Sequence, residues 1–385
     1  MKNNSFIYLA IFVTISSATA ATEFAPEQVL FQNNPPRSVL AVDLDGDTDR
    51  DLVLSGDAGL SLLFNLDGSG SFGPRLRIGE HLSVFDQAVD IDGDGDPDIL
   101  SLNQAESRIV WYRNDGGDFS EAINIVRRGG AALLPPIDVD GDGDPDVLVR
   151  DGPSIQWFEN TDSEGTFNAA RTLVAIEGII VHGIIDLDGD GILDILAQDW
   201  KGTGLGSDDE IIWLPGQGTT PLSFSDPQVI ASDGERPLAI ADLDSDQDMD
   251  IITTVNVGNE ALLRWLENDG NGSVSGPHLV ASFELATIEN VGVIDLNRDS
   301  RKDIVLTLRS GDAMWCRSTG NSNTFAPPEA MATPSVSRFA DMVVADMDGD
   351  GLQDLLTVEE TELGLRTQSA DSIAFNPPQK LVTAI

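Results

Sequence analysis

The stretch Asp90-Ile-Asp-Gly-Asp-Gly-Asp-Pro-Asp98 decides the reading of this chain. It places a carboxylate at every second residue, which neither a buried strand nor an amphipathic helix would do. The same nine-residue grammar recurs at Asp43 (DLDGDTDRD), Asp138 (DVDGDGDPD), Asp186 (DLDGDGILD), Asp242 (DLDSDQDMD), Asp295 (DLNRDSRKD) and Asp346 (DMDGDGLQD). Successive starts are 47, 48, 48, 56, 53 and 51 residues apart. A fixed period in this range is the signature of a repeat architecture.

Outward from each acidic loop the pattern is constant. A run rich in small and β-branched residues enters it, for example 38–42 or 183–185. A short apolar strand leaves it, such as Asp51-Leu-Val-Leu54 or Asp146-Val-Leu-Val149. A third strand follows, anchored at Trp111, Trp157, Trp213, Trp265 and Trp315, with Leu62 and Leu365 in the equivalent places. After a turn rich in Asn, Asp, Gly and Ser, a fourth strand is expected to open on Phe72, Phe119, Phe167, Phe224, Phe325 or Phe375, with Val274 in the fifth unit. Four short strands per unit, seven times over, predict an all-β fold: a seven-bladed β-propeller of four-stranded blades. The tryptophans read as packing between neighbouring sheets; a row of ligand-stacking aromatics is the alternative. Phe24–Phe31 looks like an eighth fourth-strand segment, similar to Phe375–Val382. One terminal copy is therefore expected to close the ring, and the sequence leaves open which one.

Composition narrows the function. The 385 residues carry 65 acidic and 22 basic side chains, a formal net charge of −43. That excludes nucleic-acid or anionic-membrane binding through a basic surface. With one cysteine, Cys316, no intrachain disulfide can form, and three histidines (His81, His182, His278) leave little for a multi-histidine zinc site. Lys2, the apolar run Phe6–Val13 and Ala18-Thr19-Ala20 form a secretory signal pattern, so residues 1–20 are expected to be a signal peptide and 21–385 the propeller. A secreted or periplasmic location is the corresponding expectation, without membrane insertion.

Carboxylates crowded to about 5 Å repel by roughly 0.8 kcal/mol per pair in water, and by about four times that at an effective dielectric near 20. A compact loop of this composition calls for a cation. An oxygen-only donor set selects a hard ion, and a crowded flexible loop favours calcium over magnesium. The first half of the loop resembles an EF-hand, with ligands at positions 1, 3 and 5 and Gly at position 6 in four copies: Gly95, Gly143, Gly191 and Gly351. The second half departs from it, because position 12 falls in an apolar strand (Leu54 in the first copy) and position 9 is always Asp.

The D-x-D-x-D-G-x-x-D loops at this spacing resemble the FG-GAP/VCBS repeats of integrin-α-type β-propellers; Phe72-Gly73-Pro74 is the nearest approach to the family's FG tripeptide. The resemblance implies that each loop joins the first two strands of a blade and binds Ca2+ through positions 1, 3, 5 and 9. Those residues are Asp43, Asp45, Asp47 and Asp51; Asp90, Asp92, Asp94 and Asp98; Asp138, Asp140, Asp142 and Asp146; Asp186, Asp188, Asp190 and Asp194; Asp242, Asp244, Asp246 and Asp250; Asp295, Asn297, Asp299 and Asp303; and Asp346, Asp348, Asp350 and Asp354. Up to seven ions are expected. The sixth site, with Asn297 and the cations Arg298, Arg301 and Lys302, is the weakest.

Trp200 and Lys201 lie in the one long second-to-third loop, residues 198–209, and are expected to contact a ligand on the face opposite the acidic loops. The expected function is a secreted calcium-stabilised module binding a protein or glycan. The alternative is a carbohydrate-active enzyme such as a calcium-assisted polysaccharide lyase, with His182 and Arg236 or Arg338 near the axis. No nucleophile elbow, zinc motif or phosphate loop is present, so no catalytic residue is assigned.

Overall fold

In the computed structural model the described residues are 22–24, 28–32, 36–80, 83–103, 106–127, 132–162, 164–199, 209–219, 222–284, 286–320, 324–332, 339–359 and 362–373. Among them there is no helix. Seven antiparallel four-stranded sheets carry the fold. The first blade runs Ser38–Val42, Asp51–Ser55, Leu60–Leu63 and Leu76–Gly79. The next five repeat this order, ending with the sixth blade at Ile288–Ile294, Asp303–Leu308, Ala313–Cys316 and Glu329–Ala332. The innermost strands touch one another around the hub; Ser38–Val42 meets both Ser83–Val89 and Phe339–Ala345.

The seventh blade shows how the ring closes. Its strands Phe339–Ala345, Asp354–Glu359 and Glu362–Arg366 take their fourth neighbour from the other end of the chain, Gln28–Gln32. The N-terminal copy is therefore the closing strand. The C-terminal segment Gln368–Ile373 pairs instead with Thr22–Phe24, so both ends are tied to one another. At the hub, Asp341 accepts hydrogen bonds from Ser38 Oγ (2.9 Å) and Val39 N (3.0 Å), joining the seventh blade to the first.

The second strand of each blade is buried on both faces, between its own sheet's neighbours and the adjacent blades. This explains why these strands are continuous apolar runs rather than alternating ones: Asp51–Ser55 and Asp303–Leu308 are buried at every residue. The core is a series of layers between sheets, as where Ile252, Trp265 and Phe283 of the fifth blade meet Ile304 and Leu306 of the sixth. Each such aliphatic side chain contributes roughly 1.5–3 kcal/mol by burial. Trp111, Trp157, Trp213, Trp265 and Trp315 are all buried, which corrects the ligand-stacking alternative. For Trp111 and Trp213 the partner across the gap is a glycine of the next blade's turn. A Cβ on Gly165 would lie 2.2 Å from the Trp111 ring, and one on Gly272 would lie 2.4 Å from Trp213. Both glycines also hold positive φ, so no other residue fits.

One boundary differs from expectation. The aromatics Phe72, Phe119, Phe167 and Phe325 do not open the fourth strand. They pair back across a small hairpin with Asn65, Asn114, Asn160 and Ser318, and the fourth strand starts four residues later, at Leu76, Ile123, Arg171 and Glu329. The turn must first reach the neighbouring blade before the chain can run back. No helix among the described residues is long and apolar enough to cross a membrane. Residues 1–20 lie outside the described residues.

Candidate metal centre

Each acidic loop joins the first and second strands of its blade, so all seven lie on one face. Two backbone features shape them. Positions 4 and 6 take the left-handed conformation in every copy, from Gly93 (φ 72°) and Gly95 (φ 99°) in the second loop to Arg298 (φ 59°) and Ser300 (φ 65°) in the sixth. Sequence reasoning recognised only position 6. Glycine adopts this conformation freely, whereas other residues lose about 1–2 kcal/mol there. The first loop carries one such residue, Thr48, while the fifth (Ser245, Gln247) and sixth carry two each.

The second feature is the ninth aspartate, which is buried in all seven copies. One of its oxygens accepts the backbone N–H of position 2, and the other accepts the N–H at the end of the third strand. Asp98 takes Ile91 N (3.0 Å) and Asn114 N (2.7 Å); Asp146 takes Val139 N (2.9 Å) and Asn160 N (2.8 Å). Asp303 does the same with Leu296 N (3.3 Å) and Ser318 N (2.8 Å) in the sixth loop. This carboxylate is thus the buckle of the turn, a role the sequence reading had not given it. Burial pushes its pKa up to about 6 in Asp51, Asp98, Asp146 and Asp303, and to about 7 in Asp250 and Asp354, against the downward pull of the accepted N–H bonds.

A second tie was also missed. The residue three places past each third-strand anchor is Asn in four blades. Its side-chain amide donates to the position-2 carbonyl of the preceding blade's loop: Asn65 to Met347 (3.0 Å), Asn114 to Leu44 (2.7 Å), Asn160 to Ile91 (2.8 Å) and Asn268 to Leu187 (2.7 Å). Gln368 reaches Leu296 at 3.4 Å. The signal was present as the recurring spacing Trp111-x-x-Asn114, Trp157-x-x-Asn160 and Trp265-x-x-Asn268.

The rim of each loop gathers the remaining carboxylates. Oxygens of Asp43, Asp45 and Asp51 lie within 4.8 Å of one another, as do those of Asp90, Asp92 and Asp94; Asp138, Asp140 and Asp146; Asp186, Asp188 and Asp194; and Asp242, Asp244 and Asp246. The position-1 carboxylate caps the turn, as where Asp138 Oδ1 accepts Gly141 N (2.7 Å) and Oδ2 accepts Gly143 N (2.9 Å). The position-3 carboxylates Asp45, Asp92, Asp140, Asp188, Asp244 and Asp348 all have raised pKa values, first from burial and then mainly from neighbouring carboxylates such as that at position 5. Several oxygens are buried without any hydrogen-bond partner: Asp92 Oδ1, Asp140 Oδ1, Asp242 Oδ1 and Asp346 Oδ1. A buried carboxylate oxygen lacking a donor is costly unless a cation meets it. Donor chemistry and orphaned oxygens together fit a hard divalent ion.

Cations of the chain already sit at two loops. In the sixth, Arg301 Nη2 pairs with Asp299, and Arg298 extends over Gly351 of the seventh loop. In the second, Arg113 Nε lies 2.8 Å from Asp92 and its Nη2 lies 3.4 Å from Asp94. Arg113 comes from the end of a third strand, far from the loop in sequence, and was not anticipated.

Trp200, Lys201 and Arg338 lie outside the described residues. His182 lies on the inner strand Ile179–Ile185; burial first of all lowers its pKa, and its Nε2 is 3.3 Å from Gln198 Oε1. Gln198 donates in turn to Asp209 Oδ2 (3.0 Å). His182 borders a cavity of about 320 Å³ between the inner strands of blades three to five, whose walls are mostly apolar, including Leu134, Ile184, Leu238 and Ile240. Arg236 opens the neighbouring inner strand, Arg236–Ala241. Cys316 is fully buried and its thiol is pushed up to about 12 by burial, which makes it inert packing.

Solved structures share this fold. An Agrocybe aegerita lectin described as recognising non-reducing terminal N-acetylglucosamine superposes with a TM-score of 0.57 at 18% identity, over 88% of this chain and 86% of the lectin. BBS1N, solved in complex with ARL6DN, gives 0.55 at 12% identity over 90% and 98%. Saccharomyces cerevisiae Sqt1 gives 0.54 at 9% identity over 91% and 99%. At these identities the likeness concerns the fold. No curated protein sequence matches the chain. The model of the FG-GAP-like repeat, however, matches residues 90–136, 138–197, 186–253, 242–306 and 295–357, which is most of the chain. With its acidic loops in register on one face of seven blades, the chain belongs to the FG-GAP-like repeat family.

Proposed function

We propose that this protein is an exported calcium-binding propeller that serves as a recognition module for a protein or glycan, with calcium in a structural role. The observation that carries the metal assignment is the set of buried, partnerless oxygens on Asp92, Asp140, Asp242 and Asp346, each within a cluster of carboxylates. Positions 1, 3, 5 and 9 of each loop would hold the ion. Bound calcium would cancel repulsion between carboxylates and fix the turn that the ninth aspartate already buckles. The sixth loop, with Asn297 in place of Asp and Arg301 on Asp299, would hold calcium least well.

Recognition is assigned to the face opposite the acidic loops, where the long loop 198–209 offers Trp200 and Lys201. The lectin and the ARL6DN complex illustrate that propellers of this shape bind glycans or proteins. Export is consistent with calcium use, because calcium is plentiful outside cells. Calorimetric titration of the EDTA-stripped protein tests the metal assignment: several ions should bind, and Asp140→Ala should remove one of them. No heat and no retained metal would overturn it. Glycan-array binding lost in Trp200→Ala, with folding unchanged, tests the recognition face; undiminished binding would remove Trp200 from it.

A further inference from the structure

The interface between blades five and six lacks the Asn tie on the acidic-loop face, as does that between blades three and four, where Gly216 holds the position. In the sixth blade Ser318 stands where Asn114, Asn160 and Asn268 stand in their blades. Its side chain is too short to reach the position-2 carbonyl of the fifth loop, and among the described residues no hydrogen bond joins it to Leu243. A cavity of about 360 Å³ lies at this point, lined by Asp244, Ser245, Ser300, Arg301, Lys302 and Ser318.

The charge of this cleft is equally unusual. In a chain of net charge −43, three cations fall within the five residues Arg298–Lys302. Lys302 has no ion-pair partner among the described residues. Arg301 gives one nitrogen to Asp299, while its Nε is buried without a hydrogen-bond partner. Its side chain lies flat over Gly320, where a Cβ would come within 3.4 Å of Arg301 Cδ. Three serine hydroxyls and one carboxylate, Asp244, complete the lining.

We propose that the cleft between blades five and six, formed by Lys302, Arg301, three serines and Asp244, binds an acidic sugar residue, a uronate or a sulfated hexose. The ammonium of Lys302 and the guanidinium of Arg301 meet the carboxylate or sulfate by charge-assisted hydrogen bonds. Ser245, Ser300 and Ser318 exchange hydrogen bonds with ring hydroxyls. Asp244 narrows the class: it would give one oxygen to the fifth loop's calcium and leave the other to accept a hydroxyl donor, so the ligand needs an anionic group and hydroxyls on one small body. The volume falls in the range of small-ligand pockets. The site lies on the acidic-loop face and stands independently of the recognition face assigned above.

The test uses the full protein at fixed saturating calcium, with methyl glucuronoside and methyl glucoside 6-sulfate as probes, followed by saturation-transfer NMR and calorimetry. Wild type should bind at least one of the two, and the neutral methyl glucoside at least tenfold more weakly. Lys302→Gln should weaken the anionic probe at least tenfold with an unchanged melting temperature. Ser318→Asn should supply the tie that Asn makes at four other interfaces, fill the cleft, and lose binding while melting no lower than wild type. No binding of either anionic probe overturns the proposal. So does full binding in both variants, or equal binding of the neutral glycoside, or displacement of the sugar by an equal concentration of inorganic sulfate.

Discussion

The third and sixth loops are the same turn with opposite rims. Both place residues 4 and 6 in the left-handed region, and both are buckled by a buried ninth aspartate, Asp146 or Asp303, that accepts two backbone N–H groups. The third loop surrounds that buckle with Asp138, Asp140 and Asp142 and uses Gly141 and Gly143 at the left-handed positions. The sixth has Asn297, Arg298, Ser300 and Arg301 instead, and Arg301 occupies the Asp299 carboxylate. The comparison separates two jobs. The backbone turn belongs to the ninth aspartate and persists whatever the rim carries. The carboxylates that could complete an ion site belong to the rim, and the sixth loop keeps its turn with fewer of them.

The largest expected effect tests the first half of that separation. Asp146→Ala and Asp303→Ala should each destabilise the metal-free protein by about 3 kcal/mol, since each strands two buried N–H donors. Denaturant unfolding checks this. A silent Asp303→Ala would break the equivalence of the two turns.

Next comes pH. Burial raises the ninth carboxyls to about 6 in Asp98, Asp146 and Asp303 and to about 7 in Asp250 and Asp354, from the ordinary 3.8 of an aspartate. A folded-state pKa above the unfolded one contributes stability that is complete below about 4 and is lost as pH rises through 6–7. The metal-free protein should therefore melt higher at pH 5 than at pH 8. The calcium-loaded protein should show the reverse slope, because protons compete with the ion for the same carboxylates. Melting curves across pH, with and without EDTA, check both signs.

Backbone substitutions sharpen the comparison further. Gly143→Ala should lower stability by about 1–2 kcal/mol, because alanine resists the left-handed conformation. Ser300→Gly should raise it by less, about 0.5 kcal/mol, since part of the relief is offset by a more flexible unfolded chain. The smallest effect concerns the second loop, where Arg113 pairs with Asp92 and Asp94. Arg113→Gln should tighten calcium a few-fold, as expected for releasing a half-exposed arginine from the loop's carboxylates.

What could be read from the sequence follows from where the physics is local. The 47–56-residue period, the tryptophans and the acidic loops are local patterns; only the tryptophans carried a second reading, which their burial removes. Ring closure by Gln28–Gln32 was ambiguous because Phe24–Phe31 and Phe375–Val382 carry equivalent strand patterns, and only the pairing with Glu362–Arg366 distinguishes them. The Asn114-to-Leu44 tie spans 70 residues and joins two blades, so its repeated spacing was visible while its partner was not. Arg113 lies in the same blade as its loop, but only the return of the third strand brings its side chain onto Asp92. The fourth-strand offset of four residues was hidden because Phe119 and its equivalents are β-formers that serve a turn.

The account rests on cations drawing the rims of the first five loops and the seventh together. Its most direct measurement is the melting temperature of the EDTA-stripped protein before and after adding calcium, with bound metal counted by elemental analysis. The account predicts a rise of several degrees, several calcium ions per chain, and a count one lower in Asp140→Ala but unchanged in Asp299→Ala. An unchanged melting temperature with no calcium retained after dialysis would contradict it.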